Sequence, residues 1–304
     1  MRDNFIKLLT QAAVENKNVL LLTGDLGFGV LDKYRCDLPD QFLNMGIAEQ
    51  NMTGVATGLS LEGYKVFTYS IGNFCTLRCL EQIRNDVCYH NADVKIISVG
   101  SGLGYGSLGM SHHATEDFAI MRAIPNLKIY SPSDYNEIQV VIKDLIEERG
   151  PGYVRLAKVK VDPKQVRHVN IDVCNSVGHI FDSEIVFFTH GSTMELAEKI
   201  IQNLSFPCDL FTIPRLKPLP EKSLMEVLKN RKHVITLEEH NLCGGFGSSI
   251  CEFLSDHLIH LPVTRLGLPD RFLDVGGSAK ELMDCSGLTV ENCCSIIKNR
   301  IKWI

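Results

Sequence analysis

The stretch Phe42-Leu-Asn-Met-Gly-Ile-Ala-Glu-Gln-Asn-Met52 joins a short strand-like run to an apolar helix pattern, and this joint indicates an α/β fold. Apolar residues recur behind it at helical spacing: Met52, Val55, Ala56, Leu59 and Leu61. Glu49 lies at the joint and has few charged neighbours. Because burial raises the pKa of a carboxyl group, an acid in this position suits proton transfer near neutral pH. The alternative is that Glu49 only caps the first helical turn, where the helix dipole favours acids.

The composition is that of a globular protein and argues against several classes of partner. The 304 residues are 45% hydrophobic and 22% charged, which suffices for two domains with separate cores. A formal net charge of −5 provides no basic surface, so neither nucleic acid nor a membrane is an expected partner. The sequence contains neither a membrane-spanning apolar run nor a signal-peptide core, and its eleven cysteines lack metal-binding spacing. We expect a cytoplasmic protein with reduced cysteines and no metal ligands.

Strand and helix patterns alternate along the chain and divide it into two α/β units. Buried-strand patterns in the first unit occur at residues 19–23, 64–70, 94–99 and 152–156. Helical patterns accompany them at 4–14, 75–89, 115–122, with Thr115 as the expected N-cap, and 135–148. The second unit has strand patterns at 184–189, 208–213 and 233–237, and helical patterns at 194–203, 221–230 and 248–257. We predict a domain over residues 1–160, a polar linker over 161–180 that contains Pro163, and a domain over 181–304, each with a mostly parallel sheet flanked by helices.

Candidate site residues follow the carboxyl ends of the predicted strands, where ligands of open α/β sheets bind. Asp25 and Leu26 follow the first strand, and the alternative for Asp25 is that it forms only a turn. The strand at 94–99 runs into Gly100-Ser-Gly-Leu-Gly-Tyr-Gly-Ser-Leu-Gly109, whose glycines permit positive φ angles and close approach to a ligand. The helix start of a dinucleotide fingerprint is missing after this loop. His112 and His113 follow instead, and in isolation such a pair is more often a surface or helix-start feature.

The segment Gly46-Ile-Ala-Glu-Gln-Asn-Met52 resembles the glutamate motif of transketolases and related thiamine-diphosphate enzymes, and further stretches follow in family order over nearly the whole chain. In that family the glutamate hydrogen-bonds a ring nitrogen of the cofactor's aminopyrimidine and promotes loss of the thiazolium proton. The resemblance implies this role for Glu49. It also implies that Phe74 stacks on the pyrimidine, that Ile71 replaces a second aromatic side chain, and that the Asp25-Leu26 pair faces the cofactor.

The glycine-rich loop resembles the family's active-site loop, which usually reads Asp-Gly-Pro-Thr-His-Gln. The resemblance places His112 on the histidine that contacts a substrate oxygen, with His113 as a second candidate. Leu108 stands where sugar-specific transketolases carry an acid that reads a donor hydroxyl, which implies a relaxed or redirected choice of donor. Arg155 matches a strand-end arginine that can hold a sugar phosphate, and a structural ion pair is the alternative.

A further part of the family's cofactor site has no counterpart in this sequence. Full-length transketolases bind the diphosphate through Mg²⁺ with a Gly-Asp-Gly motif, which this sequence lacks. The resemblance implies a split enzyme, expected to be a heterotetramer, in which an N-terminal transketolase subunit supplies the Mg²⁺ ligands. The expected reaction transfers a two-carbon ketol unit from a phosphorylated ketose to an aldehyde. The alternatives are the beta subunit of a 2-oxo acid dehydrogenase decarboxylating component and a non-catalytic partner subunit.

Overall fold

The computed structural model describes residues 1–162 and 167–301, which form two β-sheets flanked by helices. The strands are β1 (Val19–Thr23), β2 (Phe42–Asn44), β3 (Lys65–Ile71), β4 (Val94–Val99), β5 (Lys128–Tyr130), β6 (Gly152–Leu156), β7 (Asn175–Val177), β8 (Ile185–Thr189), β9 (Asp209–Thr212), β10 (Arg215–Lys217), β11 (His233–Asn241) and β12 (Val263–Leu268). The helices are α1 (Arg2–Glu15), α2 (Asp32–Asp37), α3 (Glu49–Leu61), α4 (Leu80–Gln82), α5 (Asp117–Arg122), α6 (Tyr135–Glu147), α7 (Met194–Gln202), α8 (Glu221–Leu228), α9 (Phe246–Asp256), α10 (Ala279–Cys285) and α11 (Val290–Arg300). None of these helices has the length and apolar character needed to cross a membrane.

The larger sheet has seven strands in the order β10-β5-β6-β4-β3-β1-β2, and all neighbours run parallel except β10 and β5. Its central strands are buried along their whole length, because helices cover both faces of a parallel sheet. The parallel arrangement brings the carboxyl ends of β1, β3 and β4 to one edge. The segments that follow these strands carry most of the candidate site residues.

The smaller sheet has the order β12-β11-β8-β9-β7, with β7 as an antiparallel edge strand. The predicted α/β fold with two mostly parallel sheets is confirmed. Positions 163–166 of the predicted linker, including Pro163, and positions 302–304 of the predicted second domain lie outside the described residues. The proposed domain boundaries stay predictions.

One strand of the second unit joins the sheet of the first unit, and sequence analysis missed it. Strand β10 comes from the second unit, yet it pairs with β5 of the first sheet, where Arg215 lies opposite Tyr130. Its three residues, Arg-Leu-Lys, are too few to show a strand period. The pairing attaches the second unit to the edge of the first sheet.

Two helix predictions are corrected by the structure. The predicted regular helix over 75–89 is a 3-10 turn followed by α4 and a π-helix, Ile83–Cys88. The wider π turn allows Ile83, Val87 and Cys88 all to face the core. Thr115 is not an N-cap, because α5 begins at Asp117 and the Thr115 carbonyl instead accepts a hydrogen bond from the Asn241 N–H at 2.8 Å.

His190, at the end of β8, is completely buried between the two sheets. Its Nδ1 lies 2.9 Å from Ser131 Oγ, and its ring packs at 5.0 Å from that of Phe246. Burial, together with the nearby charge of Arg155 and with His240, lowers the pKa of His190 well below 6.5. The imidazole is therefore neutral in the folded protein at neutral pH.

This neutral histidine makes folding sensitive to acid. Below about pH 6.5 the unfolded chain binds a proton at His190 that the folded chain does not bind, so stability falls as pH falls. We expect this group to account for a loss of about 2 kcal/mol between about pH 7.5 and pH 5. Melting curves of His190→Gln across this range should show a shallower loss than wild type. The exposed His179→Gln variant is the control, and equal slopes for both variants would contradict the assignment.

Candidate active site

Glu49 is the first residue of α3, and its side chain is buried at the carboxyl edge of the larger sheet, with 1% of the residue exposed. The carboxylate does not cap the helix. Instead, its Oε2 accepts a hydrogen bond from Arg78 Nη1 at 2.7 Å. Gly24, at the end of β1, faces the other oxygen, and a Cβ there would lie 3.5 Å from Oε1. An acidic group thus lies in a buried recess, held in place by one cation.

Arg78 connects this carboxylate to an aromatic surface. The Arg78 Cζ lies 4.5 Å from the centroid of the Phe74 ring, which is the geometry of a cation–π contact. The Phe74 ring in turn meets that of His112 at 4.9 Å between centroids, edge to face. Glu49, Phe74 and His112, which are far apart in the sequence, therefore form one continuous group through Arg78. Sequence analysis missed Arg78, although its spacing of four residues from Phe74 is that of helical neighbours.

The loop that carries His112 is held against the turn after β3. Asn73 Nδ2 donates a hydrogen bond to the Ser111 carbonyl at 2.7 Å, and Ser111 Oγ lies 3.1 Å from His112 Nδ1. On the other side, the Tyr105 ring lies 6.4 Å from that of His112, and Lys158 Nζ is 4.5 Å from the Tyr105 centroid. Tyr105 and Lys158 carry no pattern in the sequence that would have singled them out.

The structure separates His113 from His112. His113 is buried within the loop, where its Nε2 lies 3.4 Å from the Gly106 carbonyl. A ring enclosed by the loop does not present its nitrogens to a substrate in this conformation. The substrate contact expected of His113 stays a prediction.

Arg155 occupies the ion pair that was the alternative to a phosphate site. Only 1% of the residue is exposed, and its Nε donates to Asp117 Oδ2 at 2.9 Å. Its Nη2 donates to the carbonyls of Ala114 and Glu239 at 2.9 and 2.8 Å. Donors engaged in this way inside the protein are not offered to a substrate phosphate. The reason is that β6 is a central strand, so a side chain at its end points into the contact between the two sheets.

The remaining predicted residues lie around the Glu49 recess. Asp25 has a φ of 54°, and its Oδ1 accepts a hydrogen bond from Asn44 Nδ2 at 2.9 Å, so it forms the turn after β1. Leu26, beside Asp25, and Ile71, at the end of β3, are both half-buried. Leu108 is 53% exposed in the loop of His112. Contacts of these residues with a cofactor or donor stay predictions.

Two family descriptions match this chain: "Transketolase, pyrimidine binding domain" over residues 1–163 and "Transketolase, C-terminal domain" over residues 181–293. The chain belongs to the transketolase family. The resemblance found in the sequence, and the expected transketolase-like transferase, are confirmed. Within the described ranges, no group of three or more His, Cys, Asp or Glu side chains is arranged to hold a metal ion.

Transketolase-family relatives include chains of nearly the same length. The sequence is 32% identical to one of the subunits of the apulose-4-phosphate transketolase of Actinobacillus succinogenes, over 84% of this chain and 83% of that protein. It is 29% identical to a putative transketolase C-terminal section of Methanocaldococcus jannaschii, over 99% of this chain and 96% of that protein. A solved split-gene transketolase, an inactive β4 tetramer, has a TM-score of 0.87 at 28% identity and covers 99% of this chain and 98% of its own.

The contact between Arg78 and Glu49 should contribute to stability. Removing the guanidinium leaves a buried carboxylate without this partner, so Arg78→Ala should lower the free energy of unfolding by about 1–2 kcal/mol. The double variant Glu49→Gln/Arg78→Ala should lose less than the sum of the two single changes, because the two groups are in contact. Urea unfolding measures all three. The exposed Arg84→Ala variant is the matched control, and an equal loss there would contradict the prediction.

Proposed function

We propose that this chain is one of two kinds of subunit in a transketolase and that it supplies the pyrimidine side of the thiamine-diphosphate site. The observation that carries the proposal is the buried Glu49 carboxylate beside the aromatic ring of Phe74, at the edge where the parallel strands end. The second subunit supplies the diphosphate side with its Mg²⁺. The inactive β4 assembly of the related split-gene protein supports a need for that second subunit. All eleven cysteines are free, which supports a reducing, cytoplasmic compartment.

The residues of the recess fit the pyrimidine end of the cofactor. A flat heterocycle with a ring nitrogen needs a hydrogen-bonding acid and a flat apolar wall. Glu49 supplies the acid, Phe74 the aromatic wall and Ile71 an aliphatic one, while Gly24 keeps the recess free of a side chain. Because the Gly-Asp-Gly motif is missing from this sequence, we assign the Mg²⁺ ligands to the partner subunit.

When bound, thiamine diphosphate supplies the carbanion chemistry of ketol transfer. The protein's part is to hold protons and orient groups. Glu49 shares a proton through its carboxylate, and Arg78 holds that carboxylate in place through Oε2. His112, whose Nδ1 is near Ser111 Oγ, offers Nε2 to a substrate oxygen and exchanges a proton with it. Phe74 lies between Arg78 and His112 and gives the site its aromatic surface.

We propose a phosphorylated ketose as donor and an aldehyde as acceptor. Apulose 4-phosphate is the first donor to test, since the related transketolase subunits are named for it. With Arg155 engaged in its ion pair, the exposed Lys158 beside Tyr105 offers a cation for the phosphate. The relatives described above are transketolases, which favours this reaction over that of the beta subunit of a 2-oxo acid dehydrogenase.

Glu49→Gln tests the central role of the acid. The amide cannot share a proton as the carboxylate does, so we expect kcat to fall at least about 100-fold in a complex with the Gly-Asp-Gly subunit. Assembly of the two subunits, measured by gel filtration, should not change. Glu62→Gln, an exposed change at the other end of α3, is the matched control. Full activity of Glu49→Gln in the assembled complex would overturn the proposal. If the wild-type complex has no transketolase activity, a non-catalytic role of this chain would be favoured.

Leu108 is expected to influence the choice of donor. A carboxylate at this exposed position can hydrogen-bond a donor hydroxyl, which leucine cannot. Leu108→Asp should therefore raise, by about tenfold, the ratio of kcat/KM for xylulose 5-phosphate to that for hydroxypyruvate, which lacks the neighbouring hydroxyl groups. Met110→Asp, which is as exposed on the same loop, is the control for added charge. Equal ratios in the two variants would show that residue 108 does not read the donor.

A further inference from the structure

The loop that carries His112 is built into the second unit as well as the first. It closes at its base through the paired backbones of Gly102 and Ala114, with N–O distances of 3.0 and 2.9 Å. The Leu103 side chain is fully buried in the hydrophobic core of the smaller sheet. Gly106 lies so close to α10 that a Cβ would be 2.7 Å from both the Gly277 carbonyl and the Leu282 side chain. Gly106 therefore permits close packing between the two units.

Glu239, on β11 of the smaller sheet, contacts the base of this loop. Its Oε1 accepts a hydrogen bond from the Leu103 N–H at 2.7 Å, and Oε2 accepts one from Ser192 Oγ. Gly102 lies against the same carboxyl group, since a Cβ there would be 2.6 Å from Oε1. The strand pattern predicted for 233–237 ended before Glu239, but β11 continues to Asn241.

Because Glu239 is buried, its carboxyl group depends on these hydrogen bonds. Loss of solvent raises the pKa of its carboxyl group, although Ser192, Arg155 and the Leu103 N–H counteract the shift. A buried carboxylate that loses its hydrogen-bond donors costs several kcal/mol, so movement of Leu103 away from Oε1 is strongly opposed. The loop base is consequently held at a fixed place on the second unit.

We propose that Glu239 is a positioning residue for the loop of His112, so that the second unit sets the place of a substrate-side group on the first. The path is short: Glu239 holds Leu103, the Gly102–Ala114 bridge closes the loop, and Tyr105 within the loop packs near His112. The role of His112 toward substrate rests on the proposed function. The contact by which Glu239 fixes the loop does not depend on the proposed function.

Hydrogen exchange of the full chain tests the hold directly. Glu239→Ala should speed exchange of peptides within 100–114 at least about tenfold and leave peptides of α3 unchanged. Glu239→Gln should stay within about threefold of wild type, because its amide oxygen still accepts from Leu103 and its amide nitrogen donates to Ser192. Glu238→Ala is the matched control. Glu238 is equally buried, with a pKa raised to about 7 by burial, but it binds the N–H groups of Phe246 and Gly247 at the start of α9.

The control should speed exchange in 246–256 and not in 100–114. Ser192→Ala removes one donor from Glu239 without altering the first unit, and it should give an intermediate effect on 100–114 even if Glu239→Ala does not fold. The proposal is overturned if residues 100–114 exchange at the wild-type rate in Glu239→Ala. If Glu239→Ala does not fold, the same result in Ser192→Ala overturns it. It is also overturned if exchange rises uniformly across both sheets.

Kinetics of the assembled enzyme test the consequence for catalysis. With apulose 4-phosphate as donor, Glu239→Ala should lower kcat/KM at least about tenfold, while the Kd of thiamine diphosphate with Mg²⁺ stays within about twofold, since Glu49 and Phe74 lie on other elements. Glu239→Gln should restore most of the activity. Wild-type kinetics in Glu239→Ala would overturn the proposal. If His112→Ala is fully active, the proposed function of His112 fails instead, and the exchange experiment still decides the role of Glu239.

Discussion

A fully buried ion pair between Arg155 and Asp117 holds together the parts from which the site is made. Arg155 lies near the end of β6 in the larger sheet, and Asp117 begins α5. The Arg155 guanidinium also donates to the carbonyls of Ala114 in the His112 loop and of Glu239 in the smaller sheet. The Tyr153 hydroxyl also donates to Asp117 at 2.6 Å. Removing one member of such a pair leaves an uncompensated charge, which typically costs about 3–5 kcal/mol. The relative placement of sheet, loop and second unit is thus coupled to one set of contacts.

Around this fixed centre, the candidate site is assembled from segments that follow parallel strands. An acid, a cation and two rings contact one another in turn across it, from Glu49 through Arg78 and Phe74 to His112. Each contact is modest, but their continuity orients the acid and the imidazole relative to each other. The acid lies deep and the imidazole lies on a loop, which matches the different demands of holding a proton and admitting a substrate.

Much of this site could be predicted from short motifs. Glu49, Phe74 and His112 stand in local patterns, each close behind a strand, and the parallel sheet brings such positions to one edge whatever the details of packing. Arg78 and Glu239 were missed because their importance depends on partners 29 and 136 residues away, at Glu49 and Leu103. Their local positions, four residues after Phe74 for Arg78 and beyond a strand pattern for Glu239, do not indicate these partners.

The order of the amino acids was enough to establish the α/β class, the two mostly parallel sheets and the transketolase family, because these follow from local periodicity and contiguous motifs. Tertiary structure alone decided that Arg155 forms an ion pair with Asp117, which the sequence had left open, and that His113 is buried within its loop. It also decided that β10 of the second unit pairs with the first sheet and that Glu239 contacts the glycine-rich loop. Burial and long-range hydrogen bonds depend on which distant segments contact one another in the fold. Local sequence patterns do not indicate those contacts.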